Sequence, residues 1–294
     1  MNETWNQAVL SNRRPLEPLP TEITPRLGDL SDIQAVIFDV YGTLVVSGSG
    51  DVGVADETGR GESISAAMSA AGVAVDRIPS IERLHAVIRG SNDERRSEDC
   101  PKPEVDIVEC WRQVLSESSV EASTEQCNRL AAEYESRANP TWPMPDAMSV
   151  LRQLSGAETR IGIVSNAQAF TLSLVEDLAG KFGVDSILDP NLCVFSNRYR
   201  QAKPGPRLFE VLRGGLGRLG IAPEQAVYVG NDRLNDVWSA HQAGLRTAWF
   251  AGDRRSLRDR RDDPRVADLP HDIVLTRLNQ LLDCLGHEKG SENE

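Results

Sequence analysis

The sequence predicts an α/β protein: a doubly wound parallel sheet with a helical domain inserted after its first core strand. Three observations lead there. Residues 35–46 (AVIFDVYGTLVV) hold a continuous apolar run broken at Gly42, the pattern of a strand buried on both faces. Beyond residue 147, strand-like and helix-like stretches alternate, which implies parallel strands joined by right-handed crossovers. Between these parts, residues 47–140 show helical spacing and no convincing strand.

Taken in order, residues 1–33 carry Pro15, Pro18, Pro20 and Pro25 with little periodicity. They read as an extension, partly disordered or laid over the surface, with an interaction arm as the alternative. Residues 34–46 form the first piece of the core. Ser47, Gly48, Ser49, Gly50, Asp51 and Gly53 then make a flexible turn into the insertion. Within it, 62–71 reads as a small-residue helix. Ile81, Leu84, Val87 and Ile88 recur at helical spacing, as do Val105, Val108, Trp111, Val114 and Leu115. Residues 124–138 make a further amphipathic stretch, and Pro140, Pro143 and Pro145 mark the return to the core at 141–285. There the expected order is helix 147–154, strand 160–165, helix 169–182, strand 192–195 and helix 205–219. Strand 226–230, helix 233–243, strand 246–250, strand 272–275 and helix 277–285 follow. Residues 286–294 are a polar tail.

Composition narrows the function. At 294 residues the chain is long enough for two domains. A net charge of −12 disfavours nonspecific nucleic-acid binding, because phosphate backbones reward basic faces. The one Arg-rich stretch (Arg254, Arg255, Arg258, Arg260, Arg261, Arg265) is interleaved with Asp253, Asp259, Asp262, Asp263 and Asp268, so it reads as solvated and self-neutralised. Cys100, Cys110, Cys127, Cys193 and Cys284 have no metal-ligand spacing and read as reduced thiols. Residues 1–10 lack the basic and apolar regions of a signal peptide, and no apolar run approaches the ~20 residues of a membrane span. The expectation is a cytoplasmic protein with a small-molecule substrate and neither nucleic-acid nor membrane partners.

The chemistry lies at the strand ends, where open α/β sheets bind their ligands. Asp39 ends the first strand, and a carboxylate there needs a metal, a cation or several donors. Ser165 and Asn166 end the second, Lys203-Pro204 follows the third, and Asn231 through Asp236 follow the fourth. Each has a plain reading: Asp39 as a turn cap, Ser165 and Asn166 as a helix N-cap, Lys203 as a loop lysine. Together they suit phosphoryl chemistry on an aspartyl nucleophile. The Asp attacks, the hydroxyl and ammonium hold phosphoryl oxygens, and an acidic pair holds a divalent cation.

These four segments resemble the motifs of the haloacid dehalogenase-like (HAD) hydrolases, in order and over about residues 34–285. Asp39-Val-Tyr-Gly-Thr43 is similar to the first, Ser165-Asn166 the second, Lys203-Pro204 the third, and Gly230 through Asp236 the fourth. The resemblance implies a Rossmannoid core and makes residues 47–140 a helical cap that excludes water and selects the substrate. It implies Asp39 as nucleophile, with Tyr41, Thr43, Ser165, Asn166 and Lys203 as the other catalytic positions. Asp232 and Asp236 lie one helical turn apart, so both carboxylates would face one cation. Hard oxygen donors suit Mg²⁺, with Asp39, the Tyr41 carbonyl and Asp232 or Asp236 as ligands.

Two features depart from the family pattern. HAD phosphatases usually carry a second Asp two residues after the nucleophile, as acid and base for the leaving group, and here that residue is Tyr41. The Asp-x-Tyr-Gly-Thr form resembles the metal-free dehalogenase branch, whose halide leaves without a proton. That branch, however, works without metal whereas this chain keeps the Asp232–Asp236 pair, and it has a Tyr where this chain has Phe209. Separately, Asn231 fills the place of a common Asp in the fourth motif. The expectation is a Mg²⁺-dependent phosphohydrolase. A metal-independent 2-haloacid dehalogenase and a non-catalytic HAD-fold binding protein are the alternatives.

Overall fold

The computed structural model describes residues 3–49, 60–181 and 185–286. The expected turn through Gly50, Asp51 and Gly53, residue Phe182 and the tail beyond Gly286 lie outside the described residues. The strands are β1 (Ala35–Phe38), β2 (Val45–Ser47), β3 (Thr141–Pro143), β4 (Arg160–Ser165), β5 (Cys193–Phe195), β6 (Ala226–Gly230), β7 (Arg246–Phe250) and β8 (Ile273–Leu275). Six of them form a parallel sheet in the order β5-β4-β1-β6-β7-β8.

The run at residues 35–38 is continuously apolar because both faces of β1 are covered. Val36 and Phe38 enter one core, Ala35 and Ile37 the opposite one, and all four are fully buried. β6 repeats this with Val227 and Val229 against Ala226 and Tyr228. β1 lies between β4 and β6, and the chain crosses from β5 to the far side of β1 to begin β6. The carboxyl ends of β1, β4 and β6 therefore sit side by side at a switch point.

The helices are α1 (Glu3–Ser11), α2 (Arg60–Ala70), α3 (Ile81–Arg95), α4 (Ile107–Glu117), α5 (Thr124–Ala138), α6 (Ala147–Gly156), α7 (Thr171–Ala179), α8 (Ser196–Tyr199), α9 (Arg207–Arg218), α10 (Ser239–Gln242) and α11 (Gln280–Cys284). α2 to α5 make up the insertion, and their starts are written in caps. Ser80 accepts from Arg83 N, Asp106 from Val108 N and Glu109 N, and Ser123 with Gln126 forms a capping box. Their apolar faces (Ile64, Met68, Leu84, Trp111, Leu115, Leu130) join the core on one side of the sheet. β2 and β3 pair antiparallel at the insertion's two ends, and Ser47 Oγ donates to Asn139 Oδ1 at 2.7 Å.

Several elements differ from expectation for local reasons. The extension is not featureless: α1 packs on α5 and α7, burying Ala8 and Val9, and Asn12 Nδ2 donates to Glu133 Oε2 at 2.9 Å. Residues 17–26 then strap the core, with Arg26 and Val274 exchanging backbone bonds of 3.0 and 2.8 Å. The helix expected at 169–182 starts at Thr171 and stops at Gly180, whose φ is +84°. The one expected at 233–243 opens as a π-helical turn, Arg233–Trp238, before α10. The one expected at 277–285 starts at Gln280, whose side chain accepts from the backbone N–H of Thr276 and Arg277.

Trp111 is 1% exposed and meets Tyr134 edge-on, with ring centroids 5.1 Å apart. Trp111→Ala should cost about 3–5 kcal/mol, the usual range for a buried Trp truncation, read as a lowered midpoint of urea unfolding. A loss below about 1 kcal/mol would mean that the insertion packs elsewhere.

Candidate active site

Lys203 is the hub. It is 2% exposed, and its Nζ lies 2.9 Å from Asp39 Oδ1, 2.6 Å from Asp236 Oδ1, 2.8 Å from the Tyr228 hydroxyl and 3.1 Å from the Val164 carbonyl. Burial alone would depress the ammonium, but Asp236 and Asp39 outweigh it and hold its pKa above the ordinary value. Burial likewise pushes the Asp236 carboxyl up, to about 7, against the pull of Lys203 and with help from Asp39 and Asp232. Both shifts keep protons on the centre, Lys203 through its carboxylate partners and Asp236 through burial first.

The backbone delivers these groups by tight turns. Gly42, at φ +76°, leaves room that a Cβ would lose to Ser256 Cβ at 2.4 Å. Gly230 is needed for another reason: a Cβ there would stand 2.5 Å from the Asp236 carboxyl. Asp236 folds back so that Oδ2 accepts from Asp232 N at 2.9 Å. Asn166 ties two loops together, accepting from Lys203 N at 2.7 Å and donating to Lys203 O at 3.2 Å.

A cavity of about 40 Å³ opens over this centre, lined by Asp39, Tyr41, Asn166, Lys203, Asn231, Asp232, Asn235, Asp236, Ser256 and Arg258. Thr43 and Ser165 lie behind this wall. The Thr43 hydroxyl donates to Asn231 Oδ1 at 3.2 Å, and that of Ser165 points at Asn166 O at 3.4 Å. The Tyr41 hydroxyl sits 3.0 Å from Thr171 Oγ1, and burial raises its pKa far above the ordinary tyrosine value. That hydroxyl is not a proton source for the cavity.

Of the residues expected to hold Mg²⁺, the acidic pair Asp232 and Asp236 does not fit that task as arranged. Asp232 caps the π-helical turn, accepting from Leu234 N and Asn235 N at 2.9 and 3.0 Å. Its other oxygen accepts from Asn235 Nδ2 at 3.0 Å and Arg260 Nη2 at 2.6 Å. Asp236 is spent on Lys203, Tyr228 and Asp232 N. Among the described residues no group of three or more His, Cys, Asp or Glu side chains could hold a metal ion.

Sequence reasoning missed Tyr228, whose hydroxyl accepts from Lys203 and donates to Val164 O at 2.6 Å. On the strand it reads as one more core aromatic. It also misread the Arg-rich stretch. Arg254, Arg260, Arg261 and Arg265 are exposed, but Arg258 lines the cavity and Arg260 reaches Asp232 from outside.

A second cavity, of about 720 Å³, adjoins the first and shares Asn166, Lys203 and Asn235 with it. One wall is Pro101, Lys102 and Glu104 of the insertion; the other includes Gln168, Trp238, Arg260 and Arg265. This stretch of the insertion is stitched to the chain leading into Lys203: Glu104 N donates to Arg200 O at 3.0 Å and Ala202 N to Lys102 O at 2.8 Å. Burial raises the Glu104 carboxyl, although Ser196 Oγ (2.7 Å), Val105 N and Gln168 Nε2 (both 3.1 Å) donate to it.

Two outcomes follow from this packing. Gly230→Ala should displace Asp236 and lower both the melting temperature and any turnover, the overpacking costing about 1–3 kcal/mol. A variant as stable as wild type would refute the close approach. A carboxyl raised in the folded state favours folding below its unfolded value, about 4.3 for Glu, and that benefit is lost as pH rises through the folded value. Glu104→Gln should therefore gain stability on wild type as pH rises from about 4 to 8, measured as the difference in melting temperature. A difference that does not change with pH would show Glu104 to be ordinary.

With this geometry in hand, likeness to known proteins is informative. A family model for haloacid dehalogenase-like hydrolases matches residues 33–244. A glyceraldehyde 3-phosphate phosphatase of Methanopyrus kandleri is 32% identical over 145 residues, 49% of this chain and 56% of that protein. A phosphoserine phosphatase of Thermus thermophilus is 39% identical over 80 residues, 27% of this chain and 31% of that protein. The chain thus spans only about a third to a half of these curated relatives. Among solved structures, a 2-haloacid dehalogenase from Pseudomonas syringae pv. Tomato superposes with a TM-score of 0.54 at 20% identity, covering 87% of this chain and 100% of that one. A HAD phosphatase from Thermococcus onnurineus gives 0.50 at 22% identity, covering 88% and 100%. These two likenesses speak for the fold alone. By its motifs, its sheet and the match over most of its length, the chain belongs to the haloacid dehalogenase-like hydrolases.

Proposed function

We propose that this protein is a phosphohydrolase that removes the phosphoryl group from a small phosphorylated metabolite through Asp39. The observation that carries the reading is the Asp39–Lys203 pair at 2.9 Å on the wall of a cavity of about 40 Å³. Asp39 Oδ1 is held by Lys203, while Oδ2 has no hydrogen bond among the described residues. In the first step Oδ2 attacks phosphorus and the bond to the leaving oxygen breaks, giving an aspartyl phosphate. Lys203 faces charge that spreads over the equatorial oxygens. In the second step water attacks phosphorus, phosphate departs and the carboxylate is restored. The phosphatase names among the relatives support this class of reaction. The Asp232 and Asp236 carboxylates that would complete a Mg²⁺ site are committed to other partners, so no step is routed through it.

Residues 47–140 act in this reading as a cap, its segment 101–104 walling the larger cavity where the rest of the substrate lies. Thr43 and Ser165 position the loops, Thr43 by holding Asn231. A second reading, halide displacement from a 2-haloacid by the same carboxylate, is favoured by Tyr41 standing where a general acid belongs.

Activity on p-nitrophenyl phosphate, alkyl phosphates and 2-haloacids separates these readings. Phosphate release should be abolished in Asp39→Asn. Aryl phosphates should exceed alkyl phosphates by about 10²-fold or more, since general acid catalysis contributes about 10²–10⁴ and Tyr41 stands where the acid is expected. Halide release lost in Asp39→Asn would replace the phosphatase reading. No turnover of any compound would leave a binding protein.

A further inference from the structure

The segment after β7 reads in sequence as a self-neutralised loop, yet part of it is an arm laid over the catalytic cavity. Three side chains reach the site. Ser256 is fully buried, lines the cavity over Asp39, and its Oγ has no hydrogen-bond partner. Arg258 lines the same cavity. Arg260 binds Asp232 in a fork, with Nη2 at 2.6 Å and Nε at 3.1 Å from Oδ2. Its backbone is left-handed, at φ +56°, a conformation that costs a non-glycine residue roughly 1–2 kcal/mol and is held in place by surrounding contacts.

The arm is fastened from both sides. On the site side, Asn231 Nδ2 donates to Ser256 O at 2.5 Å, Arg258 N to Asn231 O at 3.2 Å and Arg233 N to Arg258 O at 2.9 Å. On the outer side the N-terminal strap holds its start. Leu19 N donates to Asp253 Oδ1 at 2.9 Å, Arg254 N to Leu19 O at 2.9 Å, Thr21 Oγ1 to Ala251 O at 2.7 Å, and Arg255 to Glu17 O. Asn231, which stands where the family commonly has an acid, is thus the arm's anchor.

We propose that this arm takes the place of the divalent cation. Ser256 and Arg258 bind the transferring phosphoryl oxygens opposite Lys203, and Arg260 occupies Asp232 so that the site works without Mg²⁺. The polar groups are placed for it: Asp39 and Asp236 face Lys203, Asp232 faces Arg260, and Arg258, whose Nη1 donates to Arg255 O and Leu257 O, lines the same cavity. Room is consistent too. A water needs about 10–15 Å³, so a cavity of about 40 Å³ has room for the oxygens of one phosphoryl group. The inference rests on the phosphohydrolase reading for its ligand, but its test does not need turnover.

Two measurements on the full chain decide it. Inorganic phosphate, titrated calorimetrically in EDTA, should bind wild type. Each of Ser256→Ala and Arg258→Ala should weaken it about tenfold or more, as removal of a hydrogen bond to a charged group does. The wild-type melting temperature should not respond to millimolar MgCl₂. Arg260→Ala, or Arg260→Gln should the first not fold, should gain a Mg²⁺-dependent rise as Asp232 is freed. Arg260→Lys should stay indifferent to Mg²⁺. Phosphate binding by wild type only when Mg²⁺ is present, or a Mg²⁺-dependent rise in wild type, would overturn the proposal. So would arm variants that bind phosphate like wild type, or an Arg260 variant still indifferent to Mg²⁺. Absence of phosphatase turnover with these binding results intact would strike the reaction assignment and leave the metal-free anion site standing.

Discussion

An ammonium taken out of water costs several kcal/mol unless acceptors replace the water, and this requirement at Lys203 governs the rest of the site. Its four acceptors come from separate pieces of chain: Asp39 after β1, Val164 in β4, Tyr228 in β6 and Asp236 in the turn beyond β6. They meet only because β1 lies between β4 and β6 with all three strands parallel and their carboxyl ends level. Removing one charged partner from such a buried pair typically costs about 3–5 kcal/mol, more than most single packing defects. The fold and the chemistry are therefore one constraint, since the contacts that satisfy Lys203 also aim Asp39.

The same centre carries an acidic excess that Lys203 alone does not balance. The balance comes from a distant stretch of chain, and its fit reaches back into the first motif. Gly42 looks locally like a turn glycine, yet it also leaves space for Ser256. Asn231 gives up a carboxylate and gains an amide that donates to the arm and accepts from Thr43. An acidic residue at position 231 would add to the negative charge and lose the donor. The N-terminal strap joins the same assembly by gripping the start of the arm.

Much of this was legible from residues alone. The strand at 35–38, the alternation after 147 and the order of the four chemical segments all follow from apolar period and turn residues. α5 occupies 124–138, the span that the amphipathic pattern marks. What was not legible depends on tertiary contact. β2 and β3 are three residues each, too short for any period, and exist because the ends of the insertion must meet. α1 lies in a segment whose prolines begin only after it. The π-helical turn at 233–238 accompanies three side-chain bonds, two from its first amides to Asp232 and one from Asp232 N to Asp236, that no propensity encodes. Interleaved signs concealed the arm: Asp253 holds Arg255, Asp259 pairs with Arg233 and Arg261, and Asp263 holds Arg265, while Arg258 lines the cavity and Arg260 pairs with Asp232.

The loss of an acid at Tyr41 and the arginine arm belong to one physical argument. In a loose phosphoryl transition state charge appears in two places, on the equatorial oxygens and on the departing oxygen. Lys203, Ser256 and Arg258 can meet the first kind of charge, because they ring the cavity where those oxygens would lie. Nothing at position 41 meets the second, since its hydroxyl is turned to Thr171 and held neutral by burial. Fixed cations that cannot be titrated at neutral pH stabilise a developing anion but cannot hand it a proton. On the phosphohydrolase reading proposed above, a site assembled this way suits leaving groups that carry their own negative charge, with the buried Tyr41 and the Lys203–Arg258 pair as complementary halves of that fit.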